Sequence, residues 1–317
     1  MNIDRLTMAA LLLVVPLSVF SQTARLMRQQ KFPKTVPAGN YSGIAPLGDD
    51  RYAVVCDKSA DGFYVLHIDI DTVKIRIRSI ENEGNRESGR ESRDQEGIAS
   101  FPHARTLLIS GEADNQVLEY TPDGSRTGRR LLMPEAFVRA SHNYGLESLT
   151  YSTADRCFYT TTERPLDGDS LLRIQAFSDD LQPLGQYLYQ LDAVKPKRSG
   201  TLLNGVSELC ALDDGRLLVL ERTLRVPRRK IGAYADCRLY EVRPDAPGML
   251  MQKRQLCHVR TRMNLWRQNL ANYEGLCVAK KLGDGRQILM MVADSQNQYR
   301  NLLRDWFRLV VVGENGH

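Results

Sequence analysis

The sequence lacks the features that would assign it to several common functional classes. Its 317 residues carry a formal net charge of only +5, which excludes the strongly basic surface that non-specific nucleic-acid binding requires. Beyond residue 20, no apolar run approaches the length of a membrane span. No stretch rich in Pro, Gly or Ser divides the chain, which favours a single domain. We therefore expect no nucleic-acid partner, no membrane span in the mature chain, and a monomer.

The common hydrolase motifs are missing as well. The chain contains no Gly-x-Ser-x-Gly turn, no His-Glu-x-x-His helix motif and no glycine-rich phosphate loop. Ser42, Ser148 and Ser207 lie in repeated phrases described below, but no catalytic triad can be assembled around them from spacing. If the chain is an esterase, water activated by a metal is therefore favoured over a serine nucleophile.

The amino terminus has the pattern of a targeting segment. An apolar run over residues 8–20 is followed by small residues at the spacing that a signal peptidase reads, and the run is too short for a spanning helix. This pattern predicts a signal peptide over residues 1–21 and one domain over residues 22–317. It also predicts a secreted or periplasmic protein.

Six cysteines in an exported chain permit up to three disulfides, whose pairing the sequence does not give. Cys237 and Cys257 lie in neighbouring strand-like runs, and they are the preferred pair. Cys210 and Cys277 follow repeated glutamates and are expected to pack as small buried side chains. The spacing of the cysteines does not resemble a metal-binding cluster.

A short phrase, acidic in four of its copies, recurs five times, and each copy is followed by a hydrophobic strand that ends in an acid. The copies are Tyr41-Ser42-Gly43-Ile44, Asp94-Gln95-Glu96-Gly97-Ile98, Asn143-Tyr144-Gly145-Leu146-Glu147-Ser148-Leu149, Asn204-Gly205-Val206-Ser207-Glu208-Leu209 and Asn272-Tyr273-Glu274-Gly275-Leu276. The strands that follow end at Asp57, Glu112, Glu163, Glu221 and Asp294. A period of roughly 50 residues is typical of a radial or stacked array of one repeated unit.

Each complete copy divides into four short strands. In the second copy the strands are predicted at 96–100, 106–112, 116–121 and 129–133, separated by turn residues. Four antiparallel strands per repeat are typical of a β-propeller blade. We predict an all-β propeller of five blades, with six as the alternative because the fourth repeat is long. The fifth copy lacks an outer strand, and residues 24–36 are predicted to supply it and close the ring.

Blade geometry predicts where the repeated acids meet. In a propeller, the start of the first strand and the end of the second strand lie on one face near the axis. Nine acids are therefore predicted around a single opening: Asp57, Glu96, Glu112, Glu147, Glu163, Glu208, Glu221, Glu274 and Asp294. Carboxylates at such density need compensating cations or hydrogen-bond donors, and Ca²⁺ accepts several carboxylates with flexible geometry. The loops on that face are basic, and Arg93, His142 and Arg222 are the candidate contacts for an anionic substrate.

These phrases, taken in order, resemble those of the phytase-like family that is described as having esterase-like activity. The resemblance extends from about Tyr41 to Asp294, although Ser42 stands where other copies carry glutamate. It implies an exported β-propeller and, by analogy with propeller phytases, calcium-assisted hydrolysis of a phosphomonoester. Glu96, Glu147, Glu208 and Glu274 would then be catalytic acids, bases or ligands. Asp57, Glu112, Glu163, Glu221 and Asp294 would be calcium ligands.

Two other interpretations stay open. A motif glutamate can be structural, because it can accept hydrogen bonds from backbone amides or pair with a buried arginine such as Arg222. The whole chain can also be a non-catalytic propeller that binds a glycan, a peptide or a protein through the same face, since propellers host many unrelated functions.

Overall fold

A computed structural model describes residues 23–138, 140, 145–195, 199–228, 231–264 and 266–313. The predicted signal peptide lies outside these residues. The described part of the chain contains twenty β-strands and two helices of four residues each. Neither helix has the length and apolar character needed to cross a bilayer.

The strands form five sheets of four strands each, one sheet per blade. Ahead of blade 1 lies the short strand β1 (Thr23–Leu26). Blade 1 consists of β2 (Tyr41–Gly48), β3 (Arg51–Cys56), β4 (Gly62–Asp71) and β5 (Arg76–Glu87). Blade 2 consists of β6 (Gln95–Phe101), β7 (Thr106–Gly111), β8 (Gln116–Tyr120) and β9 (Arg126–Arg130), and helix α1 (Glu135–Val138) follows it.

Blade 3 consists of β10 (Leu146–Ser152), β11 (Cys157–Thr162), β12 (Leu172–Ser178) and β13 (Pro183–Tyr189). Blade 4 consists of β14 (Thr201–Ala211), β15 (Leu217–Val226), β16 (Ala233–Val242) and β17 (Arg254–Met263). Blade 5 contains β18 (Asn272–Lys281), β19 (Gln287–Asp294) and β20 (Phe307–Gly313), with helix α2 (Tyr299–Leu302) between the last two strands.

The fourth strand of blade 5 comes from the amino-terminal end of the described chain. Strand β1 pairs antiparallel with β20, and Ala24 lies opposite Val312. An isolated bridge between Gln30 and Phe307 continues this contact. The predicted five blades and the predicted ring closure are confirmed, and the six-bladed alternative is wrong. The closing strand is shorter than the predicted segment 24–36.

The core lies between neighbouring blades because each sheet is covered on both faces. All eight residues of β19 are buried, and so are nine of the ten residues of β15. Leu218 and Leu239 of blade 4 pack in one cluster with Leu289 and Val310 of blade 5. Burying each such side chain contributes about 1.5–3 kcal/mol. The outer strand β9, by contrast, is exposed along its whole length.

The five innermost strands approach one another closely around the axis. A Cβ atom on Gly97 would lie 2.4 Å from the backbone nitrogen of Leu149 in blade 3. A Cβ atom on Gly43 would lie 2.4 Å from the carbonyl oxygen of Glu96 in blade 2. Glycine is needed at these positions because no larger side chain fits between adjacent inner strands.

Blade 4 projects further than blade 2 on the face where the repeated acids lie. Its four strands have ten or eleven residues, whereas those of blade 2 have five to seven. Leu224, Ala233 and Leu270 form a small apolar core within this projection. The projecting end of blade 4 therefore stands as a wall beside the axis.

The predicted cysteine pair does not form. Cys237 lies opposite Val259, and Cys257 lies opposite Leu239, so the two thiols are offset by two residues along the sheet. All six cysteines have free thiols. Cys210 and Cys277 are buried, as expected.

Candidate functional site

Each innermost strand breaks its pairing register at the same level. In β10, Leu146 pairs with Thr162 and Ser148 pairs with Thr161, which leaves Glu147 without a partner in the ladder. The corresponding breaks in β6 and β18 contain Glu96 and Glu274. A β-bulge of this kind re-aims its side chain, and bulges are frequent beside functional sites. Three blades thus present a glutamate from a bulge near the axis.

The other two blades carry serine at the bulge. The breaks in β2 and β14 contain Ser42 and Ser207. Glu208 lies one residue later, at the level occupied by Gly275 in blade 5, so the predicted equivalence of Glu208 with the three bulge glutamates is wrong. An apolar residue follows this position in each repeat, and in blade 4 it is Leu209. Aligning the repeats on this apolar residue would have placed Glu208 opposite Gly275 from the sequence alone.

The bulge glutamates lie in one electrostatic network with four acids from the ends of the second strands or just beyond them. We call these seven residues the acidic mouth: Asp57, Glu96, Glu112, Glu147, Glu163, Glu274 and Asp294. Three cationic side chains contact them within the described residues, namely Arg222, Lys58 and Arg164. Carboxylates therefore outnumber the cations in contact with them.

Arg222 is the central cation of the acidic mouth. It lies in the middle of β15 and is 5% exposed. Its Nη2 lies 2.7 Å from Oε1 of Glu163 and 3.8 Å from Oε1 of Glu147, and its Nη1 donates to Glu274. One guanidinium therefore joins blades 3, 4 and 5. Burial opposes its charge, but the three glutamates raise the pKa of Arg222.

Burial and mutual repulsion raise the pKa values of the mouth acids. The pKa values of Glu96, Glu147 and Glu274 lie well above the usual value, first because these carboxyl groups are desolvated and then because other carboxylates lie nearby. Burial raises the pKa of Asp294 to about 6. Burial also raises the pKa of Asp57. These carboxyl groups therefore titrate as a coupled set, in which each ionised group opposes the ionisation of its neighbours.

Two side chains that contact the mouth acids were not predicted from the sequence. Lys58 lies 3.2 Å from Asp57 and 3.1 Å from Asp94. Asn272 donates from Nδ2 to Oε1 of Glu274 at 2.7 Å. Asn272 is the first residue of a repeated phrase, and Lys58 directly follows the repeated acid Asp57. The repeats therefore offered a sequence signal for both residues.

Two of the nine acids predicted at one opening lie elsewhere. Oε1 of Glu208 accepts hydrogen bonds from the backbone nitrogens of Leu149 and Leu209 at 3.1 and 3.0 Å, between inner strands. Glu221 accepts from Tyr189 at 2.7 Å and from Lys253 at 2.5 Å. Because neighbouring residues of a strand point to opposite faces, Glu221 faces away from Arg222.

Two of the three predicted anion contacts lie in the described part of the chain, and of these two Arg222 is in the acidic mouth. Arg93 is buried and forms a two-pronged contact with Asp114 at 2.7 and 2.8 Å, while Nη2 also donates to the carbonyl oxygen of Gln116. Through these bonds Arg93 stabilises the turn between the second and third strands of blade 2. His142 lies outside the described residues. Arg225, near the end of β15, donates to the backbone carbonyl oxygens of Thr201 and Val226 and so joins β15 to β14.

The acidic mouth suits a hard cation by its chemistry, although its present geometry is not a formed metal site. Its donors are carboxylate oxygens, which Ca²⁺ prefers. Oδ1 of Asp57 is buried and has no hydrogen-bond partner in the described structure. No three side chains of His, Cys, Asp or Glu converge on one point within the residues that the structure describes. Small side-chain movements around Arg222 would be needed to coordinate an ion.

Fold and site together define a five-bladed β-propeller with a cluster of acids near one end of its axis. The family model "Phytase-like: Esterase-like activity of phytase" matches residues 36–296. The chain belongs to this phytase-like family, as the sequence resemblance predicted. No curated protein sequence matches the chain.

Solved propeller structures resemble the chain only distantly. An endo-arabinase from Bacteroides thetaiotaomicron is 13% identical, with 87% of this chain and 95% of that chain covered and a TM-score of 0.49. The tail fiber of Staphylococcus aureus phage P68 is 10% identical, with 92% and 53% covered and a TM-score of 0.47. A streptogramin B lyase is 11% identical, with 91% and 98% covered and a TM-score of 0.42.

Proposed function

We propose that this chain is an exported hydrolase that cleaves a phosphoester at the acidic mouth with the help of a divalent cation, calcium being the first candidate. The observation that carries the proposal is the excess of carboxylates over cations around Arg222. An anionic ester would be repelled by this excess unless a cation neutralised it. Membership of the phytase-like family supports hydrolysis as the reaction class.

The residues of the mouth have distinct tasks in this proposal. Asp57, Glu96 and Asp294 would hold the cation together with neighbouring carboxylates. When bound, calcium would neutralise phosphate charge and acidify a coordinated water. Burial and the nearby carboxylate of Glu163 raise the pKa of Glu147, which favours its protonated form and suits a general acid that protonates the departing alcohol. Arg222 keeps the glutamates of blades 3 and 5 in place.

Hydrolysis of p-nitrophenyl phosphate tests the proposal directly. We expect turnover in calcium, loss of turnover in EDTA, and a fall of about 10²–10⁴-fold in kcat for Glu147→Gln because the general acid is removed. Glu83→Gln, which alters only an exposed pair with Arg51 on blade 1, serves as the matched control. Equal rates in calcium and EDTA, or no turnover by the wild type, would contradict the proposal.

A non-catalytic role is the second candidate, and the contacts of Arg222 favour it. The ion pairs of Arg222 with Glu163 and Glu274 are what structural acids would make. In this case the face would bind a glycan, a peptide or a protein. Stabilisation by calcium in a thermal-shift measurement, combined with no turnover on a panel of phosphate and carboxylate esters, would favour the binding protein.

A further inference from the structure

A second cavity opens directly beside the acidic mouth, between the projecting end of blade 4 and helix α2. Its volume is about 150 Å³. We call it the side pocket, and its apolar lining is Leu224, Val226, Met263, Leu270, Leu302 and Leu303. A cavity of about this size with such a lining accommodates a benzene-sized group.

The pocket is built into the fold and is open to solvent at its rim. Leu224 and Leu270 at its wall belong to the apolar core of blade 4 and are 8% and 5% exposed. Leu302 of helix α2 is 45% exposed although it lines the same cavity. An exposed leucine above a buried apolar wall is what an entrance for an apolar group requires.

The pocket also reaches the acidic mouth. Asn272 and Asp294, which pair with each other across β18 and β19, both line the cavity. Asn272 donates to Glu274, and Asp294 is itself a member of the mouth. A ligand in the side pocket would therefore place a polar end within reach of the carboxylates.

We propose that the side pocket holds the alcohol portion of the phosphoester, so that the substrate is a phosphomonoester of a small apolar alcohol of about benzyl size. This inference rests on the function proposed above and specifies its substrate class. Water adds to phosphorus, the phosphorus–oxygen ester bond breaks, and inorganic phosphate and the protonated alcohol leave. A polyol is disfavoured because its hydroxyl groups would lose their hydrogen bonds to water against the leucine and methionine side chains.

The test compares benzyl phosphate with glycerol 1-phosphate, because both leaving groups are primary alkoxides and differ mainly in polarity. Steady-state kinetics in calcium give kcat/KM for each ester. Saturation-transfer NMR reports contact between the protein and the benzyl protons independently of turnover. Ala233→Leu fills the pocket, and Leu302→Ser makes its exposed rim polar with little risk to folding. Ala154→Leu, at an exposed turn on the opposite face, is the control.

We expect the wild type and Ala154→Leu to prefer benzyl phosphate by roughly tenfold or more. The preference should fall toward unity in Ala233→Leu and Leu302→Ser, together with the NMR signal of the benzyl group. Turnover of both esters without preference, or a preference that neither variant changes, would overturn the inference and leave the proposed hydrolase intact. If neither ester is turned over, the proposed function fails. Loss of the benzyl NMR signal in both variants would then still support binding of the benzyl group in the side pocket. Persistence of that signal in both variants would overturn binding there.

Discussion

Arg222 is the residue on which the electrostatics of the acidic mouth depend most. The sequence predicted that the strand ends at its neighbour Glu221, which was therefore the residue singled out, but the strand continues to Val226. Since strand side chains alternate between faces, only one of the two can point into the mouth, and the structure selects Arg222. Glu221 instead pairs with Lys253 behind it.

The position of Glu208 between inner strands changes the pKa of its carboxyl group. It is 1% exposed, and Oε2 has no hydrogen-bond partner in the described structure. Burial raises the pKa of this carboxyl well above its usual value. The folded protein therefore favours a proton on Glu208 more strongly than the unfolded chain does.

This proton makes stability depend on pH in a defined direction. A raised pKa in the folded state gives a stabilisation that is present at low pH and is lost as the pH rises through the folded pKa. We expect Glu208→Gln, which resembles the protonated form, to increase the free energy of unfolding at pH 8 by about 1–3 kcal/mol and to have a smaller effect at pH 5. Urea unfolding at both pH values measures this.

Glu91→Gln, at an exposed position, is the control for Glu208→Gln and should change neither value. A Glu208→Gln protein that is equally destabilised at both pH values would show that Glu208 is ionised in the fold.

At the scale of elements, the repeated β-bulge decides which side chains reach the mouth. A bulge adds one residue to the inner strand, so the residue at the bulge and the one after it have different surroundings. Glu96 occupies the bulge, whereas Gly97 lies against the neighbouring inner strand. The close approach of inner strands therefore favours glycine at this position in blades 1, 2 and 5, whereas Ser148 and Glu208 occupy it in blades 3 and 4.

Substituting Gly97 by alanine should disturb the axis. The new Cβ atom would lie 2.4 Å from the nitrogen of Leu149 and 2.6 Å from the carbonyl carbon of Ser148, both of which are backbone atoms that cannot rotate away. We expect a loss of about 2–4 kcal/mol in the free energy of unfolding, measured by urea denaturation. Gly283→Ala, with no neighbouring atom within 4 Å, should change stability by no more than about 0.5 kcal/mol. Equal effects of the two substitutions would disprove the packing argument.

The projecting end of blade 4 is the other element that shapes the site. The long fourth repeat, which left a sixth blade possible from sequence, is explained by longer strands in one blade. The extra residues form a wall of the side pocket instead of another blade.

At the scale of the whole molecule, stability depends on closing the ring between the two ends of the described chain. Strand β1 covers β20, whose Val310 and Val312 are buried. Without this pairing, β20 would be an open edge that can pair with other chains.

We expect Leu26→Asp to lower the melting temperature and to increase aggregation on heating, because Leu26 packs against the core between blades 4 and 5. Scanning calorimetry and light scattering measure both effects. Placing a carboxylate there should cost about 2–4 kcal/mol. Arg25→Asp, on the exposed side of the same strand, keeps the pairing and should behave like the wild type. Identical melting of the two variants would show that closure adds little to stability.

The repeats allowed the fold to be predicted in detail because the information is local. Strand period, turn residues and the spacing of the phrases define four strands per unit, and the count of units gives five blades. The family and the origin of the closing strand follow from the same pattern. The site was predicted less completely: Glu96, Glu147 and Glu274 lie together with Asp57 and Asp294, but Glu208, Glu221 and Arg93 lie elsewhere.

The sequence alone determined the propeller, its number of blades and the strand ends that face the axis. Only the tertiary structure decided that Arg222 links three glutamates, that Glu208 replaces a glycine and that an apolar pocket adjoins the acids. The physical reason is that a side chain on a strand changes face with every residue, so a shift of one position across a bulge reverses its surroundings. Residues of different blades meet only after the ring has closed, and no local pattern records which of them will touch.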